Sequence, residues 1–431
     1  MGVTTEEVFE QKLDHFDAQN QETWEQRYFD NKDFWDRENG PTIVMICGEW
    51  VCSPPTKDSF VGLLSDEMDA RLLTLEHRYY GQSQPREDWS YDNLQWLTGE
   101  QALADLAHFI SELVPDERVF VIGGSYPGAL SSWFRSKYPH IALGALSSSG
   151  VVEAILDFQA FDEVIFEALG KSGEQCPQDV HKLMEWVDTE FKEGRGEAVK
   201  DPFGALGMPD TDFHFFLADI IVMEVQYGKR TKFCAELRQH TDDELTFLGW
   251  LNTLNVKYTD YDSRELVQTP MNEETMFRQW TYQFCTQFAY FQTPGSVTAM
   301  RSQNLTVSDW LGYCESVLQH RLSPKVDHWN LRFAGKHSLA TKVIYTNGAE
   351  DPWRGASILP GESVAEDVIT IDIQCADCAH CVDLGVPAED DPAEMTQARL
   401  QIVDTFKQWW AAEQAASAAG IQAHQRETYT R

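Results

Sequence analysis

A serine hydroxyl attacks a carbonyl only when a neighbouring base takes its proton, so the base must be within reach of the oxygen. Gly123-Gly124-Ser125-Tyr126-Pro127-Gly128 puts a serine between an apolar run, Val119 to Ile122, and a stretch with helical character through Tyr138. This strand-turn-helix setting lifts a side chain above the edge of a sheet. The strict G-x-S-x-G pattern is broken, because Pro127 stands where the last glycine belongs and Gly128 follows one place late. A glycine-rich turn that only packs a helix on a sheet is the competing reading. Two later loops supply the other groups in the order acid then histidine. Lys342 to Tyr345 leads into Asn347-Gly348-Ala349-Glu350-Asp351-Pro352-Trp353, and Val368 to Ile373 leads into Asp377-Cys378-Ala379-His380-Cys381. His380 is the expected general base and Asp351 the carboxylate that orients it. Glu350 is the nearest rival, with Asp351 favoured because Pro352 restricts the backbone just after it. His77 precedes the serine, against the expected order, and is expected to be structural. The crowded run Cys375-Ala376-Asp377-Cys378-Ala379-His380-Cys381 could suggest zinc, but a structural site usually draws ligands from two separated knuckles. No metal and no organic cofactor is expected.

The surrounding segments read as an α/β architecture. Thr42 to Cys47 and Arg71 to Glu76 are short, continuous apolar runs, the pattern of strands covered on both faces. Thr98 and Gln101 have the spacing of a capping box before a helix with Leu103, Leu106, Ile110 and Leu113 on one face, stopped by Pro115. Ile141 to Ser147 completes an N-terminal series of alternating strands and helices, which implies a largely parallel sheet. From about Val151 to His337 amphipathic stretches such as Phe213 to Tyr227 and Asp243 to Leu254 replace the strands. The expected organisation is an N-terminal sheet part over 1–150, a mostly helical insertion over 151–337 and a C-terminal sheet part over 338–431. A last helix opens at Asp391-Pro392, and the tail beyond Gly420 reads as polar and loose.

Composition narrows the function classes. The chain has 431 residues, 42% of them hydrophobic, and no apolar stretch long enough to cross a bilayer. Against 34 Lys and Arg stand 69 Asp and Glu, a formal charge of −35 that repels nucleic acid. The expected partners are a peptide substrate and, as a second option, another copy of the chain in a homodimer; neither nucleic acid nor membrane is expected. The nine cysteines leave at least one thiol unpaired within the chain. Met1 to Asn20 lacks the basic and apolar regions of a secretory signal, while Asn304-Leu305-Thr306 is a glycosylation sequon compatible with a secretory route.

Seven ordered blocks resemble one known family. They are Gln11 to Phe16, Glu76 to Gly81, Leu97-Thr98 with Gln101 to Asp105, the Gly-Gly-Ser-Tyr elbow, Trp280 to Thr286, Asn347-Gly348 with Asp351 to Trp353, and Ala379-His380. Together they are similar to the serine carboxypeptidases of the lysosomal Pro-Xaa carboxypeptidase, dipeptidyl peptidase II and thymus-specific serine protease type. The resemblance implies an α/β-hydrolase fold with a helical cap, cleavage after proline, commonly at acidic pH, and a lysosomal or secreted setting. It also implies a triad of Ser125, Asp351 and His380, with the backbone N–H of Tyr126 in the oxyanion hole. The Gly48-Glu49 turn matches the family's acidic loop beside the site, although Trp50 stands where a glycine is usual. Trp353 and Tyr290 match walls of the proline pocket, and Cys285 with Cys314 matches a disulfide of the cap. Thr281 replaces the acid with which dipeptidyl peptidase II binds a free α-amine, and Gln287 replaces the glutamate of the usual Cys-Thr-Glu. A carboxypeptidase or endopeptidase is therefore expected ahead of an aminodipeptidase. An esterase, or a noncatalytic hydrolase-like binding protein, is the remaining alternative.

Overall fold

The computed structural model describes residues 4–429, apart from 273–275, 296–297 and 364, with the side chains beyond 419 left aside. Its centre is one eight-stranded sheet. The strands are β1 (Thr5–Lys12), β2 (Thr23–Asn31), β3 (Thr42–Ile46), β4 (Arg71–Leu75), β5 (Val119–Gly124), β6 (Ala142–Ser148), β7 (Val343–Gly348) and β8 (Val368–Ile373), in the spatial order β1-β2-β4-β3-β5-β6-β7-β8. From β4 through β8 every neighbouring pair is parallel, and β1 and β2 form an antiparallel edge joined to β4.

Period-two burial explains the apolar runs. Val44, Leu73, Val121, Ala145 and Val343 face one layer of helices, which includes Gly99–Leu113 and Tyr126–Lys137. Ile43, Leu72, Phe120, Ile122, Leu146 and Ile344 face the other, where Phe60, Leu64, Ile402 and Phe406 cover them. A strand buried on both sides has no polar alternation to show, so these elements read clearly from sequence. The β1–β2 ribbon is different. Most of β1 is exposed and charged, with only Gln11 buried, so neither apolar run nor clean alternation marked it.

Between β6 and β7 the chain forms helices, including Asp210–Gln226, Arg230–Leu237, Glu244–Asn252, Phe277–Gln283 and Val307–Leu318. Their shared core is aromatic: Phe215, Tyr261, Trp310 and Tyr313 meet edge to face around one another. The Thr98 side chain caps its helix by accepting from the Gln101 N–H, as the spacing implied. The reciprocal half is absent, because the Gln101 amide turns outward to Asp14 and His15 and ties the N-terminal segment down. The last helix runs from Ala393 to Tyr429, past the Gly420 at which the sequence suggested it would loosen.

Four disulfides staple the chain: Cys47–Cys52, Cys176–Cys234, Cys285–Cys314 and Cys375–Cys378. Cys381 is the free thiol. The bridge expected from the resemblance, Cys285–Cys314, is present, and Cys375 and Cys378 are bonded to each other. No helix among the described residues is long and apolar enough to cross a membrane.

Candidate active site

Each candidate residue leaves the carboxyl end of a parallel strand, where open α/β sheets place their ligand crevices. Gly48 follows β3, Ser125 follows β5, Asp351 follows β7 and His380 follows β8. Ser125 has φ 64° and ψ −130°, a conformation that a residue with a Cβ adopts only when its surroundings enforce it. They do so here by close approach. A Cβ on Gly123 would lie 2.1 Å from the Pro127 carbonyl oxygen, so the helix after the serine is seated directly on the strand before it. Pro127, the departure from the usual pattern, occupies the first turn of that helix, where a missing N–H costs nothing.

The pair downstream is well formed. His380 Nδ1 lies 2.9 Å from both carboxylate oxygens of Asp351, whose side chain is fully buried. Asp351 also accepts from the Trp353 N–H at 2.9 Å, which fixes the loop around it. Glu350 points elsewhere, to a buried ion pair with Arg230 at 2.7 Å and 3.1 Å. Of the two carboxylates, Asp351 is the one in contact with His380. Burial opposes charge on His380, but Asp351 and the Cys381 thiol outweigh it and hold the imidazole pKa well above the ordinary 6.5. The His380 N–H donates to the Gln226 carbonyl at 3.0 Å, so the end of the helix Asp210–Gln226 holds the histidine loop.

Ser125 and His380 line the same open cavity, of about 840 Å³, with Gly48, Glu49, Pro127, Val151, Gln226, Trp280 and Trp353 also on its walls. Tyr126 is the first residue of its helix, so its backbone N–H lies outside the helical ladder beside the serine. Its ring is buried beneath, accepting from the Gln283 amide at 3.0 Å and bonded to His77 Nε2 at 3.0 Å. Burial pushes the His77 pKa down to about 4, in keeping with a neutral structural imidazole. The Gly48-Glu49 turn is drawn onto the elbow, since a Cβ on Gly48 would meet the Pro127 ring at 2.5 Å. Cys47–Cys52 closes that turn, and Glu76 accepts the Cys52 N–H at 3.1 Å while paired with Arg27. Burial raises the Glu49 pKa, opposed by a backbone hydrogen bond and by His380.

Trp353 stands on the cavity wall with its Nε1 donating to Gln226 at 2.9 Å. Tyr290 lies one layer behind: it is buried, packs edge to face on Trp353 at 5.7 Å and donates its hydroxyl to the Val151 carbonyl. It supports the wall rather than forming it. Thr281 is fully buried and lies off the cavity wall, and Gln287 is occupied by the Gly99 N–H and the Leu97 carbonyl. Sequence reading missed several wall residues, among them Asp219, Val222, Met223 and Gln226. Their spacing along one helical face was visible, yet it cannot be told from ordinary core spacing until the cavity beside it is known.

A mostly parallel sheet with a serine elbow and an aspartate–histidine pair on its carboxyl edge defines a serine hydrolase of the α/β-hydrolase fold. The chain belongs to the serine carboxypeptidase S28 family, which it matches over residues 11–402. It is 34% identical over 406 residues to the Arabidopsis thaliana protein named "Probable serine protease EDA2", covering 89% of this chain and 81% of that one. It is 28% identical over 444 residues to the Homo sapiens lysosomal Pro-X carboxypeptidase, covering 93% and 87%. The Homo sapiens thymus-specific serine protease is 26% identical over 447 residues, covering 93% and 85%. Among solved structures, Mycobacterium smegmatis proline iminopeptidase matches 94% of this chain and 100% of that one at 13% identity, with a TM-score of 0.38.

Proposed function

We propose that this serine peptidase cleaves peptides on the carboxyl side of proline through an acyl-enzyme, acting as a carboxypeptidase or endopeptidase. Ser125 is the nucleophile, His380 the general base and then the general acid, and Asp351 the carboxylate that fixes the histidine tautomer. The observation that carries this reading is the strained Ser125 elbow opening into the same cavity as a histidine whose far nitrogen is held by a buried aspartate. In the first step Ser125 Oγ bonds to the scissile carbonyl carbon as its proton passes to His380 Nε2. The charge gathering on the carbonyl oxygen is met by the Tyr126 N–H, with the Gly48-Glu49 turn as the second donor. His380 then protonates the leaving amine, and water repeats the sequence to release the acid. Trp353 offers a flat apolar wall suited to a pyrrolidine ring, backed by Tyr290 and Phe161. The human relative's name, a Pro-X carboxypeptidase, supports the same specificity.

Mass spectrometry of the products from one peptide containing a single internal proline, with its termini free and then blocked, tests this directly. A cut after proline is expected, and it should disappear in Ser125→Ala while the circular dichroism spectrum is unchanged. Undiminished turnover by Ser125→Ala, or cutting indifferent to proline, would overturn the reading. Survival of the cut with a blocked C-terminus would assign an endopeptidase, and its loss a carboxypeptidase. Esters cleaved with or without proline while the matched peptides stay uncut would instead favour an esterase.

A further inference from the structure

One side of the cavity is formed by a single face of the helix Asp210–Gln226, which contributes Asp219, Val222, Met223 and Gln226. Gln226 sits at the reacting end, bonded to Trp353 and to the histidine loop. Asp219 is two turns further along, about 10 Å at the rise of an α-helix. It is half-buried on the cavity wall, and among the described residues it accepts one hydrogen bond, from Tyr261 Oη at 2.8 Å, and forms no ion pair.

The other charges nearby are accounted for differently. Arg301 pairs with Asp162 at 2.7 Å, leaving its Nη2 without a hydrogen bond, and Lys257 lines the same cavity near Asp260, whose carboxyl it helps keep charged against burial. Asp219 therefore faces the cavity as a half-buried carboxylate that accepts from Tyr261 and, among the described residues, forms no ion pair. Burial pushes its pKa up to about 6, against the opposing effects of Tyr261 and Arg301.

Resting on the post-proline reading above, we infer that Asp219 is a specificity-determining residue that binds an alkylammonium group of the substrate upstream of the proline. Because Gln226 touches the proline wall, the inferred course of the acyl side of the substrate is the face leading from it to Asp219. An extended peptide covers about 10 Å in three residues. The cation is thus the free α-amine of a residue two before the proline, or a lysine side chain immediately before it. This site lies on a different element from Thr281, where the resemblance put an amine-binding acid in dipeptidyl peptidase II. It serves a longer acyl portion than a dipeptide.

The test compares acetyl-Ala-Ala-Pro-Phe, the same peptide with a free amine, and acetyl-Ala-Lys-Pro-Phe, at pH 7.5. One or both cationic peptides are expected to exceed the neutral one by about tenfold in kcat/KM, mainly through KM. Which of them gains separates the α-amine from the side chain. Asp219→Asn should erase the gain, so that cationic and neutral peptides are cleaved with matching kcat/KM, and Asp219→Glu should restore part of it. The gain should also shrink as pH falls through about 6, where Asp219 takes up a proton amid Tyr261, Arg301, Asp260 and Lys257. Absence of any gain in wild type, or a gain that persists in Asp219→Asn, would overturn the assignment. Calorimetric binding of the same peptides to Ser125→Ala separates the two readings. A cation preference there without cleavage after proline would sink only the specificity reading, and cleavage without a cation preference would sink only Asp219.

Discussion

Glu350 and Asp351 are adjacent in one loop, and their surroundings divide their roles. Asp351 faces His380, while Glu350 faces Arg230 on the helix Arg230–Leu237. Asp351→Asn should therefore lower kcat by about 10⁴-fold with little change in melting temperature, because the amide favours the wrong imidazole tautomer. Glu350→Ala should do the reverse. It leaves a buried guanidinium with only Asp377 at 3.6 Å and the Ser172 hydroxyl, costing about 3 kcal/mol in unfolding free energy, while the folded fraction keeps its activity. Equal kinetic losses for the two variants would contradict this division. The pH dependence follows from His380 in the company of Asp351, Cys381, Glu49 and Tyr227. In the proposed mechanism catalysis needs the neutral imidazole, and the raised pKa means that kcat/KM should climb with pH through a limb above the ordinary 6.5. Stability runs the opposite way. Protonated His380 favours the folded state fully below its unfolded pKa, and this contribution fades as pH rises through the folded value.

At the scale of elements, the elbow depends on close backbone approach rather than on glycine's freedom of φ. Gly123→Ala would drive a methyl into the Pro127 carbonyl, and a loss of more than about 3 kcal/mol is expected in chemical denaturation. Much of this level was legible beforehand. β3, β4 and β5 announced themselves because both faces are buried, while β8, a half-buried edge strand, showed through its run of branched residues, and the loops after β7 and β8 followed from strand order. The β1–β2 ribbon was not legible, since its pairing is recorded only in long-range backbone bonds and its side chains are mostly polar. Nor was the cavity face of Asp210–Gln226. Its helical period was evident from sequence, but whether a given side meets solvent, core or substrate depends on where Trp353 and His380 arrive from more than a hundred residues away.

For the whole molecule, the four disulfides act on different properties. Cys176 and Cys234 are 58 residues apart, and replacing both with alanine should cost about 4 kcal/mol through the freed unfolded chain. Cys47 and Cys52 are only 5 apart and restrain the unfolded state less, by about 2 kcal/mol. Their bridge shapes the turn that rests on Pro127, so its loss should reduce kcat more than the longer bridge does. Thermal denaturation and turnover measured side by side on the two double variants would separate these effects.

The proposed triad of Ser125, Asp351 and His380 is tested most directly by intact-protein mass spectrometry after treatment with a peptidyl diphenyl phosphonate ending in proline. One stoichiometric adduct is expected, localised by peptide mapping to Ser125, absent from Ser125→Ala and formed at least about 10³-fold more slowly by His380→Ala. An adduct on any other residue, or labelling of Ser125 at an undiminished rate without His380, would contradict the account.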